Sequence, residues 1–273
     1  MHRYALLAIL LLLFCPPLRA QVAADETLRL AETLPSPWGA PLGPAMAPGT
    51  KLRLAPQVMA GPAPLNCPGA THTFMRTPAP GLFEGNLPAP AEQSAKSLGL
   101  PDSIVTQRVT CANAGFDVHR AADGRAWIGL DNAVLRWERA SLAKSPEATV
   151  QSLLVHHFAG NMTFSPESIA AQSAWLSTSL RDKLTRWFAR TAGSEEVPYL
   201  SGDPFTDSQE PPETFELAPA QLRGDRAELT VTYRGPSIDS HPVHFQLLRA
   251  QGAWRIDDLR FRDGQSLTQV LLR

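Results

Sequence analysis

The chain has 273 residues, which is long for one domain and sufficient for two smaller ones. Hydrophobic residues make up 44% and charged residues 19%, so the chain can bury a core and is not disordered throughout. The 25 Lys and Arg against 26 Asp and Glu leave a net charge of -1. This balance argues against a nucleic-acid partner, because an electrostatic nucleic-acid binder needs a basic face.

Residues 1–20 have the pattern of a secretory signal peptide. A positively charged start precedes an apolar run at residues 5–14, which has the length of a signal core but is too short to span a bilayer. We expect cleavage after Ala20, with Ala24 as the alternative. A lipoprotein signal at Cys15 is the other possibility, but the bulky Phe14 precedes that cysteine where a small residue is preferred.

The sequence therefore predicts a periplasmic or secreted protein that keeps no integral membrane segment after cleavage. Removal of residues 1–20 also removes Cys15 and leaves only Cys67 and Cys111. Two cysteines in an exported chain suggest one disulfide, while two separate buried thiols are the alternative. The bond would close a loop of about 45 residues and stabilise the fold by about 4 kcal/mol in the chain-entropy model.

The first half of the chain is rich in proline and in short β signals. Five prolines between residues 35 and 48 exclude a regular helix, so we expect an extended or loosely packed lead-in at residues 21–49. One short helix is predicted at residues 91–98. Alternating or β-branched runs predict strands at residues 51–54, 71–75, 104–111, 115–119, 126–130 and 133–137. We interpret residues 50–140 as a small β-rich domain tied by one disulfide.

The pattern changes at Ser145. A hydroxyl residue, a proline and an acid begin a helix at Ser145, and the same signal recurs at Ser165, with helical spacing of apolar residues through Arg190 and Gly193 as the stop. Four alternating strands follow between residues 214 and 261. Helices followed by an antiparallel meander predict an α+β domain at residues 145–273, with two helices and then a four-stranded sheet.

Three pieces of this second region carry a family resemblance. They are the helix start at Ser145-Pro146-Glu147, the loop of residues 202–209, and the ending from Trp254 to Leu267. Together they resemble a family of uncharacterised bacterial envelope domains that have the cystatin-like cone of nuclear transport factor 2. The resemblance implies a cone-like fold for residues 145–273 and a secreted or lipid-anchored protein without an established activity. This chain departs from the family by lacking a lipobox.

Residues 50–140 share features with small β domains of envelope stress proteins and lysozyme inhibitors. The shared pieces are Leu65-Asn66-Cys67 and the closing hairpin, and they carry no individual site residue across. The resemblance implies a protein partner in the cell envelope, such as a cell-wall hydrolase.

No sequence motif reveals a reaction. The chain lacks a nucleophile elbow, a phosphate loop, a dinucleotide fingerprint and a zinc-protease helix. The Ser-x-x-Lys match at Ser141 and Lys144 lacks its companion motifs. His241 and His244 could suggest a metal, with His156 or His157, but residues three apart on a strand point to opposite faces. We therefore predict no catalytic residue, no metal and no cofactor.

Five residues are the candidates for a pocket or a partner surface. Asp203 and Asp207 lie in an acidic loop that can contact a cationic partner or cap its own turns, and Trp175 can be an exposed partner contact. Of Asp257 and Asp258, one must face the covered side of a strand. A carboxylate in that place is either a general base in a cavity or a ligand of a helix end or an arginine.

These observations predict a non-enzymatic envelope protein that acts by binding, as an inhibitor or partner of another envelope protein. A small acid-base enzyme that uses Asp257 or Asp258 is the first alternative, and a structural envelope component is the second. Pocket geometry separates the first two, because a filled interior favours binding through the outer surface.

Overall fold

The structure is a computed structural model that describes residues 21–160, 162–192 and 202–273. The predicted signal peptide at residues 1–20 and the predicted helix stop at Gly193 lie outside these ranges. Among the helices of the described ranges, none is both long and apolar enough to cross a membrane.

One antiparallel sheet runs through the described chain and curves into a half-barrel. Its strands are β1 (Glu26–Pro35), β2 (Lys51–Ala55), β3 (Val58–Ala60), β4 (Asn66–Pro68), β5 (Thr71–Thr77), β6 (Ile104–Thr110), β7 (Gly115–Arg120), β8 (Arg125–Leu130), β9 (Ala133–Leu142), β10 (Thr214–Leu217), β11 (Gln221–Arg223), β12 (Arg226–Gly235), β13 (Ile238–Ala250) and β14 (Ala253–Arg260). The order across the sheet is β14-β13-β12-β10-β5-β6-β7-β8-β9-β1-β2-β3-β4, and β11 pairs with β12 beside this path.

The described part of the chain also contains five α-helices and one 3-10 helix. They are the 3-10 helix Ala79–Gly85, α1 (Ala91–Ser97), α2 (Pro146–Ala159), α3 (Pro166–Ala171), α4 (Thr178–Thr191) and α5 (Leu267–Leu271). Helix α2 packs on β5, β6, β12 and β14, whereas α4 and α5 pack on β14 and on each other. Helix α3 packs on α4, and α1 packs on the 3-10 helix.

The predicted fold class is wrong. We expected a small β domain followed by a separate α+β cone with two helices and four strands, but the protein is mostly β and its strands form a single sheet. The two halves join where β5 pairs with β10, with Phe74 opposite Phe215 and their rings stacked 4.8 Å apart. Local alternation predicts strands but not their partners, so this long-range pairing could not be read from either half.

The predicted lead-in contains the strand β1, which lies between β9 and β2. Leu28 and Leu30 on this strand are fully buried, and Pro35 ends it. Before it, the amide of Val22 donates to the carbonyl of Leu217 at 2.9 Å, and the amide of Ala24 donates to the Gln151 side chain at 2.8 Å. The start of the described chain therefore also ties the two halves together.

The helix starts follow the sequence signals. Ser145 caps α2 by accepting from the amide of Ala148, and Ser165 forms a capping box at α3. The predicted second helix is interrupted, because Ser177 begins a separate helix α4 by accepting from the amide of Leu180. The end of the chain, predicted only as an apolar cluster, forms α5.

Three apolar clusters make up the core. The largest lies between α2, α4, α5 and the C-terminal strands, and it includes Val22, Phe74 and Val105 from the first half of the chain. The other two lie in the first half, one around Trp137 and one around Trp127. Because the largest cluster takes residues from both halves, the helices are packed by the whole chain rather than by one part of it.

The predicted disulfide is confirmed. Cys67 on β4 is bonded to Cys111 directly after β6, with their Cα atoms 5.7 Å apart. Cys67 is buried in the Trp137 cluster, and β4 is the last strand at its edge of the sheet. The bond therefore attaches the edge of the sheet to a strand near its middle.

Candidate functional site

A cleft of about 560 Å³ opens beside the C-terminal strands, and we call it the acidic cleft. Its walls come from the loop of residues 202–210, the turn between β12 and β13, and the chain after β14. Two cations, Arg262 and Arg273, also line it. Its carboxylates belong to Asp203, Asp207, Glu210, Asp239 and Asp263.

The loop of residues 202–210 is folded tightly onto the core. Gly202 lies so close to Ser208 that an added Cβ would sit 2.5 Å from the Ser208 carbonyl oxygen, so glycine is required there. Phe205 and Thr206 are buried, and the Tyr233 hydroxyl donates to the carbonyl of Phe205 at 2.8 Å. Burial, together with the charge of Asp203, raises the pKa of Tyr233 well above its usual value, so this donor keeps its proton.

The Asp203 side chain connects the loop to α2 and to other residues of the same loop. Its Oδ2 accepts from His157 Nε2 on α2 at 2.6 Å and from the Thr206 hydroxyl at 3.0 Å, while its Oδ1 accepts from the amide of Phe205 at 3.0 Å. His157 Nδ1 in turn lies 3.0 Å from the Gln172 side-chain nitrogen. Both ring nitrogens of His157 are therefore occupied, which leaves this imidazole no contact to offer a substrate.

His241 forms the second anchor under the cleft. This buried ring places Nδ1 2.8 Å from the carbonyl oxygen of Asp239 and Nε2 2.7 Å from that of Thr206. Through these two contacts His241 joins the loop to the strand β13.

Two of the outer carboxylates, Glu210 and Asp239, remain available, whereas Asp207 is paired with Arg262. Asp207, at a left-handed φ of 50°, has its Oδ2 3.7 Å from the Arg262 guanidinium. Glu210 and Asp239 are exposed and have no ion-pair partner within the described part of the chain. The cleft thus presents negative charge on a backbone that His157, Tyr233 and His241 hold in place.

Asp257 and Asp258 lie elsewhere, at helix ends. Asp257 accepts from the hydroxyl of Ser177, the residue that caps α4, at 2.6 Å. Asp258 Oδ1 accepts from the amide of Thr268 in the first turn of α5 at 2.9 Å, and from the amide of Leu259 at 2.9 Å. Each carboxylate therefore stabilises the start of a helix, where the helix dipole favours negative charge.

The remaining candidates are not brought to the acidic cleft. Trp175 lies half-buried between α3 and α4, its ring 5.3 Å from that of His156, and is not among the cleft's lining residues. His244 Nδ1 lies 3.0 Å from the Thr230 hydroxyl. Within the ranges that the structure describes, no group of three or more His, Cys, Asp or Glu side chains is arranged to hold a metal ion.

The space between the C-terminal strands and the helices is filled by side chains. Phe158 on α2 packs against Phe215, with ring centroids 4.8 Å apart, and stacks on Tyr233 at 6.3 Å. These three rings and Phe245 are fully buried. The covered face of this part of the sheet is therefore a packed core.

A buried polar chain crosses the other half of the sheet, and sequence reasoning missed it. Arg120 donates to Glu26 and, at 2.6 Å, to Gln107, whose amide nitrogen lies 3.0 Å from His72 Nδ1. His72 Nε2 lies 3.0 Å from the carbonyl oxygen of Ala55, so the chain ends on the backbone. The sequence did contain a signal for this chain of contacts. On each strand, the polar residue occupies an alternating position that faces inward.

Comparisons with protein-family models, with curated proteins and with solved structures find no match to this chain. The acidic cleft and the contacts around it are therefore the basis for a functional interpretation.

Proposed function

We propose that this protein is an exported, non-enzymatic binding protein whose acidic cleft receives a basic segment of another cell-envelope protein. The observation that carries the proposal is the cleft itself, a space of about 560 Å³ whose outer carboxylates stand on a loop and on the start of β13, which buried side chains hold in place. A site that is already formed loses little conformational entropy when a partner binds.

The contacts that the aspartates of β14 and the buried histidines make within the protein favour binding over catalysis. Asp257 and Asp258 are bonded to helix starts, and both nitrogens of His157 and of His241 have partners in the protein. A general base needs a free lone pair within reach of a substrate. The filled space above the C-terminal strands also favours a function at the outer surface.

The charge of the cleft selects the partner. Asp203 is bonded to His157 inside the loop and Asp207 is paired with a guanidinium group. Glu210 and Asp239 lie at the exposed rim and give it negative charge. A negative rim attracts Lys and Arg side chains and raises the association rate at low salt. A basic cell-wall hydrolase would supply such a segment, in line with the resemblance of residues 50–140 to lysozyme inhibitors.

An envelope location is part of this proposal. The signal-peptide pattern of residues 1–20 supports it, and so does the disulfide between Cys67 and Cys111, because such bonds persist in oxidising compartments.

The test uses a basic lysozyme as a defined partner and measures its binding and its muramidase activity. The cleft variant Asp207→Asn/Glu210→Gln/Asp239→Asn removes three charges, and Asn tolerates the left-handed backbone of residue 207. We expect the unmodified protein to bind lysozyme and to inhibit it, with binding at least about 10-fold weaker in the cleft variant and weaker for both proteins at high salt.

The matched control is Glu92→Gln/Asp102→Asn/Asp123→Asn, which removes three exposed acids from the first half of the chain. This variant has the same net charge as the cleft variant and should bind as well as the unmodified protein. If both variants bind lysozyme equally weakly, the net charge of the protein and not the cleft accounts for binding. If the unmodified protein does not bind lysozyme, a basic lysozyme is rejected as the partner.

A further inference from the structure

A second cleft, of about 430 Å³, lies at a different part of the sheet. We call it the aromatic cleft. It is bounded by the segment after β1, the end of the 3-10 helix, the start of β7, and the turn between β8 and β9. The residues of its walls used below are Trp38, Phe83, Glu84, Asn86, Asp117, His119, Gly129, Asp131 and Asn132.

The backbone of this cleft is strained. Phe83 and Glu84 have φ angles of 51° and 60°, a region that residues other than glycine adopt at a cost. Two side-chain contacts hold this turn: the amide of Phe83 donates to the buried His119 Nε2 at 3.0 Å, and the Asn86 side chain donates to the carbonyl of Phe83 at 2.7 Å. The turn directs the Phe83 ring inward and leaves Glu84 exposed.

The aromatic wall is fixed by its own packing. The Trp38 ring meets the Phe83 ring edge-on at 5.3 Å, and the indole nitrogen of Trp38 donates to the carbonyl of Asn86 at 2.6 Å. Gly129 lies under both rings, since an added Cβ would be 3.0 Å from Phe83 and 3.8 Å from Trp38. The indole therefore stands in one orientation at the edge of the cleft, with part of its surface exposed.

Carboxylate and amide side chains surround the aromatic wall formed by Trp38 and Phe83. Glu84 and Asp131 are exposed carboxylates, and the amide side chains of Asn86 and Asn132 lie on the same walls. The charge of Asp117 is matched by Arg108, which donates to it twice at 2.8 Å. Neither Lys nor Arg is among the residues that line the cleft in the described part of the chain.

From this geometry we infer that the aromatic cleft is a saccharide-binding site. A sugar ring has an apolar C–H face that packs on an indole, and hydroxyl groups that donate to carboxylates and amides. Anionic ligands such as phosphates would meet carboxylates and no lining cation, and lipid chains would meet a half-polar surface. The volume lies in the range of small-molecule sites. This inference is independent of the acidic cleft and its partner.

The probe for the test is tri-N-acetylchitotriose, a neutral oligosaccharide. Saturation-transfer NMR and calorimetry with the purified full chain should show binding. Trp38→Ala should abolish it, and Glu84→Gln, at an exposed position that does not support the fold, should weaken it about 10-fold. The control Trp175→Ala removes a half-buried indole outside the cleft and should bind the probe like the unmodified protein.

Three outcomes would overturn the inference. The first is no saturation transfer to the probe at millimolar concentration. The second is binding that survives both Trp38→Ala and Glu84→Gln, which would place the probe elsewhere. The third is displacement of the probe by choline or by N-acetyl-lysine amide at equal concentration, which would make the cleft a site for cations. A urea unfolding curve of each variant shows that a loss of binding is not a loss of fold.

Discussion

Two buried histidines make the stability of this protein sensitive to mild acid. His72 belongs to the buried polar chain, and His119 holds the strained turn at Phe83. Burial lowers the pKa of each from 6.5 to about 4. Both rings are fully buried, and neither has a carboxylate within hydrogen-bond distance among the described residues.

The size of the effect follows from these values. Between pH 6.5 and pH 4 the unfolded chain binds a proton at each histidine and the folded chain does not, so acidification favours unfolding. The stabilisation is complete above pH 6.5 and is lost as the pH falls toward 4. One pKa unit corresponds to about 1.4 kcal/mol, so each histidine contributes about 3 kcal/mol over this range.

The assay is urea unfolding, followed by circular dichroism, at several pH values from 7.5 to 4. The variants His72→Gln and His119→Gln do not titrate, yet glutamine keeps one donor and one acceptor at each position. We expect the free energy of unfolding to fall by about 2–3 kcal/mol per pH unit near pH 5 in the unmodified protein. Each single variant should remove about half of the histidine contribution, and the double variant should remove all of it.

The control is His156→Gln, which removes a half-buried imidazole outside both networks. Burial lowers the pKa of His156 as well, but we expect this variant to change the slope by less than either buried histidine does. The reasoning is refuted if the double variant has the same pH dependence as the unmodified protein. The loss of stability in acid would then come from groups other than these two histidines.

Two other predictions concern covalent structure. Cys67→Ala and Cys111→Ala should each lower the free energy of unfolding by about 4 kcal/mol, and the double variant by no more, because all three release the same loop of about 45 residues. Urea unfolding checks this, and two free thiols in the denatured, unreduced protein would contradict the bond. If the signal peptide is cleaved as predicted, N-terminal sequencing of the protein from the periplasm should start at Gln21 or at Asp25. An intact Met1 or an acylated Cys15 would contradict this cleavage.

Much of the local structure could be predicted from the sequence. The serines at positions 145 and 165 start α2 and α3, because a hydroxyl that accepts from a nearby amide acts within one turn of chain. The alternation in β2, β12 and β13 likewise reports which side chains face the core. The disulfide followed from there being only two cysteines after residue 20.

What the sequence alone determined is thus most of the longer strands, the helix starts and the cross-link, whereas β1 and α5 were not predicted. The pairing of β5 with β10 was decided only by tertiary structure, because Phe74 and Phe215 lie 141 positions apart in the chain and alternation does not specify a partner strand. Both clefts depend on such distant contacts. His241 reaches Thr206 and Trp38 reaches Asn86 only in the folded chain, and Asp257 and Asp258 meet their helix ends in the same way.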